Sequence, residues 1–257
     1  MVASVIARFL VDHSIGPGAV RAILDTLAAQ GGAYEPQLVL RPPDESLRRI
    51  TGARPARLLD DVGEGGTSTT FLRVSEGRAH PVLSFSVSDA PRISPTSVTL
   101  TVPEEALVSS KEIEQILGIC KGLYLFLESP WGTVGIPDPA DRAQPGNRSQ
   151  AEVPASSRLE WANFLGPHTV AQLGPARLLT SMAFIVEILS DGGIMLVTHP
   201  SPRLAASPEG LALRRQIGEA IGLDGVTDGL QERRVLMLST RRRGAARVRR
   251  NPAQGPD

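Results

Sequence analysis

The stretch AFIVEILSDGGIMLVTHP, residues 183–200, contains two apolar runs joined by Asp191, Gly192 and Gly193. An Asp-Gly pair between apolar runs is a strong short-range signal for a β-hairpin, because glycine accepts the backbone angles that a tight turn requires. The stretch therefore predicts two adjacent antiparallel strands in the C-terminal part of the chain. The fold class depends on the elements that surround this hairpin.

Helical patterns lie on both sides of the hairpin. After it, SPEGLALRRQIGEAIGL (207–223) places an N-cap serine before a proline at the first helical position and keeps its large apolar residues on one face, which predicts a closing helix. Before it, LEWANFLG (159–166) and HTVAQLGPARLLT (168–180) also predict helices. Two Gly-Pro pairs, at 166–167 and 174–175, predict breaks between these helices.

The first half of the chain alternates strand and helix patterns. The apolar run SVIARFLV (4–11) and the strict alternation in LSFSVS (83–88) predict strands. The segment SSKEIEQILGIC (109–120) predicts a helix with a capping box formed by Ser109 and Glu112. Further predicted elements are a helix in GPGAVRAILDTLAAQGG, strands in PQLVLRP, TTFLRVS, TSVTLTVP and GLYLFLE, and a small helix near PARLLDDVG.

This order of elements predicts an α+β fold, with a mostly antiparallel sheet and helices packed on one face. An arrangement in two similar α+β halves stays open. The predicted organisation is an N-terminal α+β part (1–136), a linker or long loop rich in Pro, Gly and Ser (137–157), a C-terminal α+β part (158–240) and a basic disordered tail (241–257). The segment RRVLMLS predicts a last strand before the tail.

Composition restricts the kinds of function. Cys120 is the only cysteine, so the chain cannot form an internal disulfide or a cysteine cluster for zinc or iron–sulfur. The start of the chain does not have the pattern of a signal peptide, and no later run is long and apolar enough to span a membrane. We therefore expect a cytoplasmic protein without a membrane segment. The net charge is 0, but residues 241–257 carry +5, which leaves −5 on residues 1–240.

The motifs of common enzyme classes do not occur in the sequence. The four histidines, at positions 13, 80, 168 and 199, are too far apart for a short-range metal-binding pair. No Gly-x-Ser-x-Gly elbow and no phosphate-binding Gly-Lys-Ser/Thr loop is present. Cys120 falls on the apolar stripe of its helix, which favours a buried thiol. We expect no catalytic residue, no metal, no cofactor and no enzymatic activity.

Four residues are candidates for contact with a partner. Trp131 and Trp161 are the two tryptophans of a chain that is only 4% aromatic, and each could anchor either a core or an interface. Asn163 and His168 flank the predicted Gly166–Pro167 break. These four residues form the predicted partner-binding set.

The span from Leu159 to about Leu223 resembles a group of bacterial immunity proteins that protect cells from polymorphic toxins, including toxins delivered by type VI secretion. The likeness is carried by WANFLGPHTVAQLG, then ARLL, then LSDGGIMLVTHPSP, then PEGLALRRQIGEAIGL. The resemblance implies a protein without an active site that binds one cognate toxin and blocks it by stoichiometric occlusion. The acidic body would suit a basic toxin such as a nuclease.

The sequence leaves two other functions open. The first is an enzyme of unrecognised type, with Asn163 and His168 beside a pocket at the Gly166–Pro167 break. The second is a nucleic-acid adaptor that contacts phosphates through its tail. The tail lacks the interleaved aromatic residues that stack on bases, which makes nucleic acid a weaker expectation. The tail arginines are Arg241, Arg242, Arg243, Arg247, Arg249 and Arg250.

Overall fold

A computed structural model describes residues 3–11, 13, 15–28, 38–41, 46–49, 68–73, 83–88, 96–137 and 159–223. These residues form a sheet of ten strands in the order β3-β2-β4-β5-β6-β1-β7-β8-β10-β9. The strands are β1 (Ser4–Val11), β2 (Leu38–Arg41), β3 (Ser46–Arg49), β4 (Ser68–Arg73), β5 (Leu83–Ser88), β6 (Thr96–Pro103), β7 (Trp131–Gly135), β8 (Ala162–Leu165), β9 (Ile185–Ile188) and β10 (Ile194–Val197).

Six α-helices and one 3-10 helix accompany the sheet within the described residues. The 3-10 helix spans Glu104–Ala106 and follows β6 directly. The α-helices are α1 (Pro17–Ala28), α2 (Ser110–Phe126), α3 (Pro167–Leu173), α4 (Pro175–Leu179), α5 (Pro202–Ala205) and α6 (Pro208–Ile221). The expected α+β fold is confirmed.

Each pairing between neighbouring strands of this sheet is antiparallel. The first strand lies in the middle, between β6 and β7. Strand β7 pairs with β8, so the chain before residue 138 and the chain after residue 158 contribute to the same sheet. The domain boundaries expected from the sequence stay a prediction.

One face of the sheet carries the first core. In β1, alternate residues are buried, and their side chains pack with helices α1 and α2. The ring of Phe164, from β8, lies 5.8 Å from the ring of Phe9 and stacks on Tyr124 of α2 at 5.3 Å between centroids. This aromatic cluster joins the centre of the sheet to α2.

The opposite face carries a second core. Leu165 and Ile194 extend from β8 and β10 to this side and pack with residues of α3, α4 and α6. All four residues of β8 and all four of β10 are buried, because both strands are covered on two sides. Helices therefore lie on both faces of this part of the sheet, whereas the sequence pattern led us to expect a single covered face.

The predicted helix caps are present. The amide of Glu112 donates to the Ser109 side chain, and the Glu112 carboxylate accepts from the Ser109 amide at 2.9 Å, which completes the capping box. These hydrogen bonds lower the pKa of Glu112. Ser207 caps α6 with its side chain, and Gly222 ends that helix in the left-handed conformation at φ 77°.

Two segments have a different secondary structure from the one predicted. Residues 162–165 form strand β8 and not a helix, because a short run that is buried on both faces has no alternation to separate it from a buried helix. Residues 122–126 belong to α2 and not to a strand. There Leu123 and Tyr124 continue the buried stripe of α2, and Gly122 does not interrupt the helix.

The hairpin prediction is confirmed, since β9 and β10 are antiparallel and Gly192 adopts φ 84° in the turn. The strands expected within 4–11, 38–41, 68–73, 83–88 and 96–103 are also present. Several predictions lie outside the described residues: the small helix near residues 55–63, the linker from residue 138 onward, the strand in RRVLMLS and the basic tail.

Candidate protein-binding surface

Strand β9 is at one end of the sheet, next to β10. Natural edge strands are commonly protected by short length, charged residues (lysine above all), proline, a bulge or a covering segment, because unpaired backbone groups on an edge can pair with another chain. The segment Ser181–Ser190, which contains β9, reads SMAFIVEILS and has no Lys, Arg, Pro or Gly. Within this segment, only the short length of β9 and the charge of Glu187 oppose pairing with another strand.

Large apolar side chains are exposed around this edge. The exposed fraction is 64% for Met182, 57% for Phe184 and 63% for Ile188. Leu179 and Ile185 are also exposed. We call these five residues the edge patch. Exposed apolar side chains grouped in one region mark protein-binding surfaces more often than scattered ones do.

Two hydrogen bonds establish which backbone groups of β9 point outward. Leu189 donates its amide to Gly193 at 2.8 Å, and Thr198 donates its amide to Trp161 at 2.8 Å. The first bond shows that the backbone groups of Leu189 point toward β10. Because hydrogen-bonded and non-hydrogen-bonded pairs alternate in an antiparallel ladder, the backbone groups of Ile185 and Glu187 also point toward β10. The backbone N–H and C=O groups of Val186 and Ile188 therefore point away from β10, toward the side of β9 where no other strand of the described residues pairs, which we call the open edge.

The hairpin is held firmly against α2. Lys121 forms an ion pair with Glu187 at 3.0 Å. The hydroxyl of Tyr124 donates to Asp191 at 3.0 Å, and Asp191 also accepts from the Gly193 amide at 2.9 Å. Burial and the neighbouring carboxylate of Asp191 raise the pKa of Tyr124, so it remains a neutral donor. The edge patch is thus carried by a fixed hairpin.

A polar cluster lies where β8 begins and β10 ends. Arg214, on α6, is 7% exposed and donates from Nη1 to the Glu160 carboxylate at 3.0 Å. Thr198 contacts the ring of His199 at 3.0 Å. Burial lowers the pKa of His199, and the positive charge of Arg214 lowers it further. This cluster joins the second face of the sheet to α6.

Three of the four sequence candidates lie inside the protein. Trp131 is 5% exposed, and Trp161 and Asn163 are fully buried. Trp161 donates from its indole to the His199 carbonyl at 2.9 Å, and Asn163 exchanges hydrogen bonds of 2.9 and 3.0 Å with the Glu160 backbone. These side chains stabilise the scaffold in the folded state. His168 is exposed on α3 and is the candidate that a partner could reach directly.

The Gly166–Pro167 break is closely packed on its glycine side. A Cβ atom at Gly166 would lie 2.9 Å from the Pro130 carbonyl oxygen, and the Gly166 amide donates to that oxygen at 3.1 Å. The sequence analysis did not identify the edge patch. The available signal was the lack of Lys, Arg, Pro and Gly in the first strand of the predicted hairpin.

Cys120 is fully buried, and burial raises the pKa of its thiol to about 12. Within the described ranges, no three His, Cys, Asp or Glu side chains lie together as a metal site would need. In the same ranges, no helix has the length and apolar character to cross a membrane.

Comparison with solved structures shows a shared fold. The chain is similar to the Pseudomonas aeruginosa type VI secretion system protein PA0821, with a TM-score of 0.59 and 13% identity over 85% of this chain and 77% of that chain. A second similar structure is the toxic C-terminal tip of CdiA from Pseudomonas aeruginosa in complex with its immune protein. It covers 55% of this chain and 90% of that chain at 11% identity, and its TM-score of 0.33 is too low to carry an argument.

Sequence comparisons give no family. No protein-family model matches the chain. No curated protein matches it either. The similarity to PA0821 is therefore one of fold.

Proposed function

We propose that this chain is an immunity protein that binds one cognate bacterial toxin and neutralises it by occlusion. The observation that carries the proposal is the edge patch, since exposed apolar side chains beside the last strand of the described sheet suit a protein partner. A small-molecule substrate would instead be expected to need a concave pocket with converging polar groups.

The edge patch provides the anchors that a protein interface needs. Phe184 and Met182 offer large apolar side chains, and such residues commonly contribute most of the binding energy at an interface. Both residues lie just before β9, and the Lys121–Glu187 and Tyr124–Asp191 contacts connect that hairpin to α2, which reduces the ordering that binding would require. A rigid, apolar surface of this kind supports stoichiometric inhibition by contact.

Two further observations support this class of function. The fold is similar to that of a type VI secretion system protein over most of both chains. Residues 1–240 carry a net charge of −5, which would speed the capture of a basic toxin, such as a nuclease, through long-range attraction. We place the action of the protein in the cytoplasm of the cell that makes the toxin.

The test is co-expression with the toxin-like protein encoded beside this chain. We expect the toxin to stop growth when it is expressed by itself and growth to recover when both proteins are present. The purified proteins should then form a complex of one chain each, measured by isothermal titration calorimetry. If the toxin kills equally well in both strains and no complex forms, the proposed function is wrong.

Matched variants test the surface. Phe184→Lys places a charge in the edge patch and should weaken toxin binding by at least a factor of ten, which is typical for an apolar anchor lost from an interface. Leu204→Lys is the control, because Leu204 is 51% exposed but lies on α5, outside the edge patch. Equal loss of binding in both variants would count against the edge patch as the contact surface.

A further inference from the structure

We propose that, before a toxin is bound, β9 pairs antiparallel with β9 of a second copy of this chain about a two-fold axis. The proposal goes beyond the immunity function and does not depend on the identity of the toxin. It starts from the open edge of β9, where no other described strand pairs and where the segment Ser181–Ser190 has Glu187 as its one charged residue and lacks Lys, Arg, Pro and Gly. A two-fold pairing covers both edges at once and closes the assembly at two chains.

The backbone of β9 supplies the first requirement. The N–H and C=O groups of Val186 and Ile188 point toward the open edge, as the alternation set by the Leu189–Gly193 hydrogen bond requires. An antiparallel second strand would satisfy these groups. The ladder to β10 is left intact, because it uses the groups of Ile185 and Glu187.

Charge selects the register. Two registers pair most of β9 with its copy: one centred on Val186 and one centred on Glu187. The register centred on Glu187 places that carboxylate directly opposite the same carboxylate of the second copy, which is destabilising. The register centred on Val186 places Glu187 opposite Ile185 of the second copy.

Side chains favour the same register. With Val186 on the axis, Phe184, the residue directly before β9, lies opposite Ile188 of the second copy, and Ile188 lies opposite Phe184 of that copy. Both side chains are more than half exposed in the single chain. Aromatic and β-branched residues are a favourable cross-strand pair. One register therefore pairs Phe184 with Ile188, satisfies the outward backbone groups and avoids the repulsion between carboxylates.

The first experiment measures the mass of the full chain by light scattering during size-exclusion chromatography, over a dilution series. We expect twice the chain mass of 27.3 kDa at high concentration. Ile188→Lys should give the single-chain mass, because an edge lysine opposes strand pairing. Leu204→Lys is the control and should stay dimeric. A wild-type protein that is a single chain at every concentration overturns the proposal, and so does an Ile188→Lys variant that remains dimeric.

The second experiment tests the register with cysteine variants that should keep the native fold. Cys120 is the only native cysteine and is fully buried, so an introduced cysteine is the reactive one. A short thiol cross-linker should join two chains of Val186→Cys, since the two copies of residue 186 meet on the axis. Glu187→Cys should cross-link more slowly, because its copies are offset. Faster cross-linking of Glu187→Cys overturns the register, and no cross-linking of either variant overturns the β9 contact.

Discussion

At the scale of single residues, burial decides what the rare side chains do. Trp131 and Trp161 are infrequent enough to attract a functional interpretation, yet both are buried and support the scaffold. The sequence did not identify Met182 and Phe184 as candidates, because their residue types do not show whether the fold covers them or leaves them exposed. Rarity in the sequence is therefore a weaker guide to contact than exposure in the fold.

The aromatic cluster on the first face should dominate the effect of single substitutions on stability. Phe164→Ala removes a fully buried ring that contacts Phe9 and Tyr124, and it should lower the free energy of unfolding by about 3–5 kcal/mol. Phe126→Ala is the matched control: Phe126 is 45% exposed, and its loss should cost about 0.5 kcal/mol or less. Urea denaturation measures both. Similar losses would contradict this account of the core.

The buried thiol of Cys120 predicts a dependence on pH. Burial raises its pKa to about 12, above the ordinary value of about 8.5, so the folded protein should resist thiol reagents at pH 8 and react after unfolding. Because the unfolded thiol ionises first, this contribution to stability is complete below about pH 8.5 and is lost as pH rises toward 12. Rapid labelling of the native protein at pH 8 would show that the site is open.

At the scale of elements, local signals were reliable where the chain carries its own start and stop residues. The capping box of α2, the serine cap and proline start of α6, and the Asp-Gly turn of the hairpin all act within a few residues. The sequence failed for β8, where burial on both faces removes the alternation that identifies a strand. Elements defined by their neighbours are the ones that sequence patterns misassign.

The capping box of α2 offers a direct test at this scale. Ser109→Ala removes the side chain that accepts from the Glu112 amide and should lower the free energy of unfolding by about 1 kcal/mol. Ser110→Ala, at the first helical position, should change it by less than about 0.5 kcal/mol, because alanine is a good helix former. Thermal melts of the two variants distinguish them. An equal effect would argue against the cap.

At the scale of the whole molecule, one sheet links the two halves of the chain and leaves β9 at its end. Both proposals use this end: the toxin contacts the edge patch, and a second copy pairs with β9 when the toxin is absent. The two partners then compete for the same backbone and side-chain groups. The oligomeric state of the chain would therefore change when it binds its toxin.

This competition gives a prediction about stoichiometry. Adding the toxin to the dimer should produce complexes of one chain and one toxin, because the toxin takes the surface that held the second copy. Light scattering during chromatography follows the change in mass, and the Val186→Cys cross-linked dimer is the control that should no longer bind toxin. A complex of two chains and two toxins, or toxin binding by the cross-linked dimer, would contradict a shared surface.

The sequence by itself determined the α+β class, the capped helices, the hairpin and the interior position of Cys120, because these depend on interactions between residues close in the chain. The tertiary structure decided that residues 162–165 are a strand, that helices cover two faces, and that Trp161 is inside while Phe184 is outside. These properties depend on which surfaces meet across the fold. A local pattern records only that a residue is apolar, and the packing of distant elements decides whether it is covered.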